Sequence, residues 1–167
     1  MPQDAALDSS FWIDAFSAQI VNFLPDHYVL RVPRVVAEEI ERPFSTTGQT
    51  SAAGAMFKEW REAGKLHLEE PAKPVDWFQA GENAAIALAI EHGYRLLLDD
   101  NPPYHRAREQ GIKVISTADF IAALYGEGRL NYTEAVARLK ATDINKDAMR
   151  KTLDVVARIA QAKGDRP

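Results

Sequence analysis

Short apolar segments that alternate with helical segments constrain the fold of this chain more than any other feature. Residues 5–7, 28–32, 66–69, 95–98 and 113–115 predict strands, and residues 5–7 and 96–98 are apolar at every position. Strands without a polar face are typical of a parallel sheet whose two faces are both covered by helices. We therefore predict an α/β fold with a central parallel sheet.

The helical segments lie between these strands and after the last of them. They are predicted over residues 11–23, 34–40, 55–62, 82–92, 104–110, 116–125, 133–140 and 146–162. No linker rich in Gly, Ser or Pro divides the chain. We predict one α/β domain over residues 1–130, with the helices of residues 131–167 packed on the same domain.

Composition excludes several classes of function. The 167 residues contain no cysteine, which excludes disulfide scaffolds, thiolate metal sites and cysteine nucleophiles. The formal net charge of −4 argues against nucleic-acid binding by bulk charge, so such binding needs a local basic patch or bound metal. No apolar run approaches the ~20 residues that span a membrane, and no signal peptide is visible. We expect a cytoplasmic protein.

Acidic residues occur where the predicted parallel sheet would place a ligand. Asp8 follows the first strand, Asp99 and Asp100 follow a later one, and Glu39 and Glu82 lie on helices that come after strand or loop segments. In an open parallel sheet, ligands bind beyond the carboxyl ends of the strands. If these acids meet at one edge, their like charges need protons or cations, and an oxygen-only ligand set suits Mg²⁺ or Mn²⁺ better than zinc.

Each acid also has an ordinary structural interpretation. Asp8 has the residue type that caps a following helix, and Glu39 beside Glu38 has the pattern of a solvated helix surface. Glu82 in a first helical turn stabilises the helix dipole by roughly 0.3–1 kcal/mol, and residues 99–102 form a fair turn sequence. The prediction of a metal site therefore depends on the acids in combination.

That combination resembles the PIN-domain family. The resemblance is carried by G-E-N-A-A-I-A-L-A at residues 81–89, L-L-L-D-D at 96–100, Arg106-Ala107 and Gly111. These residues are similar to a bacterial and archaeal subgroup with G-E-x-x-A-I-x-L-A and L-L-x-D-D motifs. Upstream, L-D-S-S at 7–10 and V-A-E-E-I at 36–40 are similar to the family's D-x-S/T and V-x-x-E-I/L elements, so the resemblance covers about residues 4–130.

The resemblance implies a three-layer α/β/α sandwich and a metal-dependent endoribonuclease, with Mg²⁺ or Mn²⁺ as cofactor. By the motif match, the catalytic and metal-binding acids are Asp8, Glu39, Glu82 and Asp100, with Asp99 as a second candidate at the last position. Adjacent residues at a strand end point to opposite sides, so one of the two is expected to face the metal. Leu98 stands where many family members have Thr or Ser.

The substrate-binding residues are predicted from local positive charge. Arg106 and Arg108 follow the acidic segment and Arg34 precedes Glu39, so the three are expected to contact an RNA backbone. Ordinary surface ion pairs with Glu109 or Glu38 are the alternative for each arginine. Trp77 and Tyr104 flank the acidic segments, and for both we predict packing rather than stacking on bases.

The family also implies a homodimer and, where the protein is the toxin of a toxin–antitoxin pair, a small antitoxin protein as partner. Two other functions compete with the ribonuclease. One is a catalytically silent interaction module of the same fold, whose acidic pocket binds a basic partner. The other is a receiver-like phosphoacceptor, which is disfavoured because the paired aspartates come late in the chain rather than on the first strand.

Overall fold

The structure, a computed structural model, describes residues 1–166 and is built on a single parallel sheet. The strand order is β3-β2-β1-β4-β5, and every neighbouring pair is parallel. The strands of the described residues are β1 (Gln3–Leu7), β2 (Tyr28–Val32), β3 (Leu66–Leu68), β4 (Arg95–Leu97) and β5 (Val114–Ile115). The predicted parallel sheet is confirmed, and its strand order reverses between β1 and β4.

Helices connect the strands and continue after the last one. Those of the described residues are α1 (Ser9–Ser17), α2 (Leu24–His27), α3 (Arg34–Glu41), α4 (Ala52–Glu62), α5 (Ala80–His92), α6 (Asn101–Glu109), α7 (Thr117–Gly126), α8 (Tyr132–Lys140) and α9 (Lys146–Lys163). A short 3₁₀ turn, Val21–Phe23, precedes α2. No helix within residues 1–166 is both long and apolar enough to cross a membrane.

Alternating side chains of the central strands bury two separate cores. Ala5 and Leu7 pack with the buried faces of α1, α3, α4 and α7, whereas Ala6 packs with α5 and α6. On β4 and just beyond it, Leu96 and Leu98 face the second core. Since successive residues of a strand point to opposite faces, an all-apolar strand needs helices on both sides. The three-layer α/β/α sandwich is confirmed.

The predicted helix over residues 11–23 is wrong in its second half. Helix α1 ends at Ser17, because Gln19 adopts a left-handed backbone with φ of 56°. The Ile20 N–H donates to the carbonyl of Ala15 at 2.9 Å, the six-to-one bond of a Schellman C-cap. Glycine is the usual residue at that position, and its absence here leaves the helix end without a sequence signal.

Helix α6 begins three residues earlier than predicted. The sequence favours a turn over residues 99–102, but Asp100 is the N-cap, and Pro102 and Pro103 occupy the first helical turn. Proline is tolerated there because its missing N–H would have no partner inside the helix. The earlier start puts Asp100 at the tip of a helix instead of in a free loop.

The C-terminal helices α8 and α9 pack on α7. Val156 and Ala160 are the buried residues of α9. The Tyr125 hydroxyl donates to Asp165 at 2.6 Å, and the Lys163 ammonium donates to the Tyr125 carbonyl at 2.9 Å. These contacts attach the end of α9 to the layer that covers the sheet.

Candidate functional site

The strand order brings two of the predicted acidic segments together. β1 and β4 are neighbours at the point where the order reverses, which is where open α/β sheets bind their ligands. Asp8 directly follows β1, and Asp99 and Asp100 come after β4. The Asp8 N–H donates to the Leu97 carbonyl at 3.0 Å, so the hydrogen-bonded pairing of β1 with β4 continues as far as Asp8.

Asp8 is a buried carboxylate with one oxygen left without a partner. It caps α1, and its Oδ2 accepts hydrogen bonds from the Ser10 N–H at 3.1 Å and the Ser10 hydroxyl at 2.6 Å. Its side chain is buried, and Oδ1 has no hydrogen-bond partner among the described residues. The pKa of Asp8 is raised to about 6, mainly because the carboxyl is buried. The negative charges of Glu39 and Asp100 also raise this pKa, whereas the hydrogen bonds from Ser10 lower it.

Glu39 reaches this site from α3. The Ser9 hydroxyl, adjacent to Asp8, donates to Glu39 Oε2 at 3.0 Å. The Glu39 carboxylate also lies against Gly81 in the first turn of α5, where a Cβ atom would come within 2.6 Å of both carboxylate oxygens. The absence of a side chain at Gly81 is therefore what lets this carboxylate approach the positive end of α5.

Glu82 and Asp100 lie next to each other at the tips of α5 and α6. Glu82 Oε2 accepts a hydrogen bond from the Gln79 N–H at 3.1 Å. Partial burial raises the pKa of Glu82 to about 7; the adjacent Asp100 carboxyl and the charge of Asp8 act in the same direction, and the Gln79 N–H opposes them. Two acids held this close favour one shared proton or a bound cation.

Asp99 points away from Asp100. Its N–H donates to the Ser10 hydroxyl at 3.0 Å, its Oδ1 accepts from the Thr117 N–H at 2.6 Å, and its Oδ2 is buried without a partner among the described residues. Burial and the adjacent carboxyl of Asp14 raise the pKa of Asp99 well above its ordinary value. The two consecutive aspartates thus belong to different surroundings, Asp100 with Glu82 and Asp99 with Asp14.

Asp8, Glu39, Glu82 and Asp100, hereafter the acid cluster, interact through their charges. Within residues 1–166, no group of three or more His, Asp or Glu side chains is arranged so that it could hold a metal ion. The donor set nevertheless fits a hard divalent cation, because every donor is a carboxylate oxygen and Asp8 Oδ1 is buried and unpaired. Coordination by all four acids requires their side chains to turn inward.

The predicted substrate-binding arginines lie on the helices that carry the acids. The Arg106 guanidinium of α6 lies over the Trp77 ring, 5.1 Å from its centre, and that of Arg108 lies 5.5 Å from the ring centre of Tyr104. Arg34 is the exposed first residue of α3, and its backbone N–H donates to Glu70. The ion pairs with Glu109 and Glu38 that the sequence left open are absent from the described residues.

Five residues that support the acids were not identified from the sequence as site residues: Ser9, Ser10, Asp14, Gly81 and Thr117. Ser9 and Ser10 belong to the L-D-S-S element, so their hydroxyls could have been assigned to the two nearest acids. Asp14 lies one helical turn beyond Ser10 and therefore on the same face of α1. Once β1 and β4 are known to be neighbours, this spacing indicates that Asp14 lies near Asp99.

Comparison with family models finds a match over most of the chain. The family model "DUF3368: PIN domain" matches residues 6–161, which include α8 and most of α9. A PilT N-terminus domain protein from the hyperthermophilic archaeon Sulfolobus solfataricus P2 has 15% sequence identity, covers 72% of this chain and 92% of its own, and superimposes with a TM-score of 0.42. A search of curated proteins finds no match.

Proposed function

The chain belongs to the PIN-domain family, and from that premise we propose that it is a divalent-metal-dependent endoribonuclease whose active site is the acid cluster. PIN domains are generally nucleases. The observation that carries the proposal is the buried Asp8 carboxylate, which has an unpaired oxygen and faces the charges of Glu39 and Asp100 at the switch point of the sheet. A carboxylate in that position is costly to the fold without a cation, which argues for binding as its purpose.

The residues around the cluster support this role by holding each acid in place. Ser10 fixes Asp8, Ser9 and the open space at Gly81 fix Glu39, and the Gln79 N–H orients Glu82. A divalent cation bound by these oxygens would supply charge for the phosphate oxygens and a water of lowered pKa. The chain itself contributes orientation of the ligands and, through Arg34, Arg106 and Arg108, positive charge for the RNA backbone.

The choice between Mg²⁺ and Mn²⁺ stays open in this proposal, because an all-carboxylate donor set suits both ions. Asp100 is proposed as the fourth ligand in preference to Asp99, since Asp100 is the aspartate whose charge acts on both Asp8 and Glu82. The homodimer, the antitoxin partner and the cytoplasmic location expected from the sequence stay predictions.

The proposal is tested by incubating the purified chain with labelled, unstructured RNA in Mn²⁺ or Mg²⁺, and in the same buffer with excess EDTA. We expect internal cleavage with either cation and none in EDTA. Cleavage that continues unchanged in EDTA would show that the activity does not depend on a divalent cation and would contradict the proposal.

A further inference from the structure

The loop before α5 presents an aromatic ring that the proposed chemistry does not use. Trp77 lies in this loop, partly buried against the core that α5 and α6 form with the sheet, as the sequence predicts, and the Arg106 guanidinium lies over its ring, 5.1 Å from the ring centre. The other two tryptophans, Trp12 and Trp60, are buried in the core. Trp77 is therefore the tryptophan that a ligand can reach without unfolding the chain.

The backbone at Trp77 is held against the first turn of α5, the helix that carries Glu82. Its N–H and that of Phe78 donate to Asn83 Oδ1 at 3.0 and 2.7 Å, and Asn83 Nδ2 donates back to the Phe78 carbonyl at 2.8 Å. Asn83 directly follows Glu82 on α5. The backbone that carries the indole is thus anchored through hydrogen bonds to Asn83, the residue next to a proposed metal ligand.

Arg106 approaches the same place from α6. It lies six residues after Asp100, which is roughly 9 Å along the helix axis. No carboxylate of residues 1–166 lies within ion-pair distance of its guanidinium, which is exposed. Arg108 differs, because it donates to the Tyr104 hydroxyl, which in turn donates to Asp119.

A guanidinium backed by an indole ring is a flat, positively charged surface. Arginine planes and aromatic rings are the groups on which proteins stack the bases of single-stranded RNA, and such stacking needs a base whose face is not already covered by its neighbours. The Arg106 guanidinium is exposed and has no carboxylate partner within residues 1–166, which leaves it accessible to a base.

We propose that Trp77 and Arg106 form a stacking platform for one unpaired base of the RNA, close to the bond that the acid cluster cleaves. The inference rests on the proposed nuclease function and deepens it, since it makes unpaired bases beside the cleaved bond a requirement for binding. Duplex RNA, whose base faces are covered by stacking within the helix, is excluded from the platform.

The test measures RNA binding in excess EDTA and low salt, so that it does not depend on cleavage. The probes are a short unstructured RNA, the same RNA with abasic central positions, and the RNA annealed to its complement. Tryptophan fluorescence reports stacking and fluorescence anisotropy reports affinity. We expect the unstructured RNA to quench the fluorescence and to bind at least about 5-fold more tightly than the other two.

Three variants separate stacking from charge and from folding. Trp77→Ala is expected to lose the quenching and about 5- to 100-fold in affinity for the unstructured RNA, with no change for the abasic RNA. Arg106→Lys keeps the positive charge and leaves the loop intact, and it is expected to lose several-fold in affinity. Trp77→Phe keeps a ring, so it should retain most of the affinity while losing the quenching.

Equal affinity of the wild type and both Trp77→Ala and Arg106→Lys for the unstructured RNA would overturn the platform, as would equal quenching by the abasic RNA. Failure of this inference is distinguishable from failure of the nuclease proposal. Base stacking without cation-dependent cleavage would support the platform and contradict the nuclease proposal. Cation-dependent cleavage with unchanged RNA affinity of Trp77→Ala and Arg106→Lys would support the nuclease proposal and contradict the platform.

Discussion

Replacing Glu82 by Gln, or Asp8 by Asn, is expected to reduce Mn²⁺-dependent RNA cleavage by at least about 100-fold. Loss of a group that merely orients a metal ligand typically costs about 10- to 100-fold, and loss of the ligand itself costs at least as much. Both substitutions keep the size and the main hydrogen-bond acceptor of the side chain, so the fold should persist. The measurement is the initial rate of cleavage of one labelled RNA at saturating Mn²⁺.

Glu38 and Glu39 provide the matched control on a single helix. Glu39 accepts a hydrogen bond from the Ser9 hydroxyl and faces Gly81, whereas Glu38 is exposed on the preceding position of α3. We expect Glu39→Gln to lose activity like Glu82→Gln, and Glu38→Gln to keep that of the wild type. Equal activity of all these variants would mean that the cleavage arises elsewhere.

Asp8→Asn is expected to stabilise the protein when divalent cations are removed. The folded-state pKa of Asp8 is about 6 against an ordinary value of 3.8, so the folded chain holds this proton more tightly than the unfolded chain. Stability is therefore lost as the pH rises from about 4 to 6, by about 2–3 kcal/mol for this buried group. The raised pKa of Glu82 acts in the same direction up to about pH 7.

Asparagine at position 8 keeps the N-cap of α1 and removes the charge. In excess EDTA at pH 8 we expect the variant to melt several degrees above the wild type, and the difference to shrink near pH 4. Added Mn²⁺ should raise the melting temperature of the wild type more than that of the variant. A variant that is less stable than the wild type at pH 8 in EDTA would contradict the assigned environment of Asp8.

The sequence predicts the layers of the fold better than the ends of its helices. The all-apolar segments at residues 5–7 and 96–98 require helices on both faces, and the structure has them. The break at Gln19 could not be predicted, because the left-handed turn there is formed by backbone hydrogen bonds around a residue that rarely adopts it. The early start of α6 was missed because its two prolines also suit a turn.

The candidate site was predictable in its acids but not in their environments. Motif matching selects Asp8, Glu39, Glu82 and the pair at 99 and 100, yet a sequence alone does not show which of two adjacent aspartates faces which neighbour. That assignment depends on α1 and α7, which supply Ser10 and Thr117 as partners for Asp99. The role of Gly81 could not be predicted either, because it depends on a tertiary contact with Glu39 of α3.

The central claim, that the acid cluster binds a divalent cation, is tested most directly by titration calorimetry of Mn²⁺ into the metal-free protein. We expect wild type and Glu38→Gln to bind with the same affinity at or below millimolar concentrations, and Asp8→Asn and Glu82→Gln to bind at least about 10-fold more weakly. Absence of binding to the wild type at millimolar Mn²⁺, or equal binding to all four proteins, would contradict the claim and favour an interaction module with an acidic pocket.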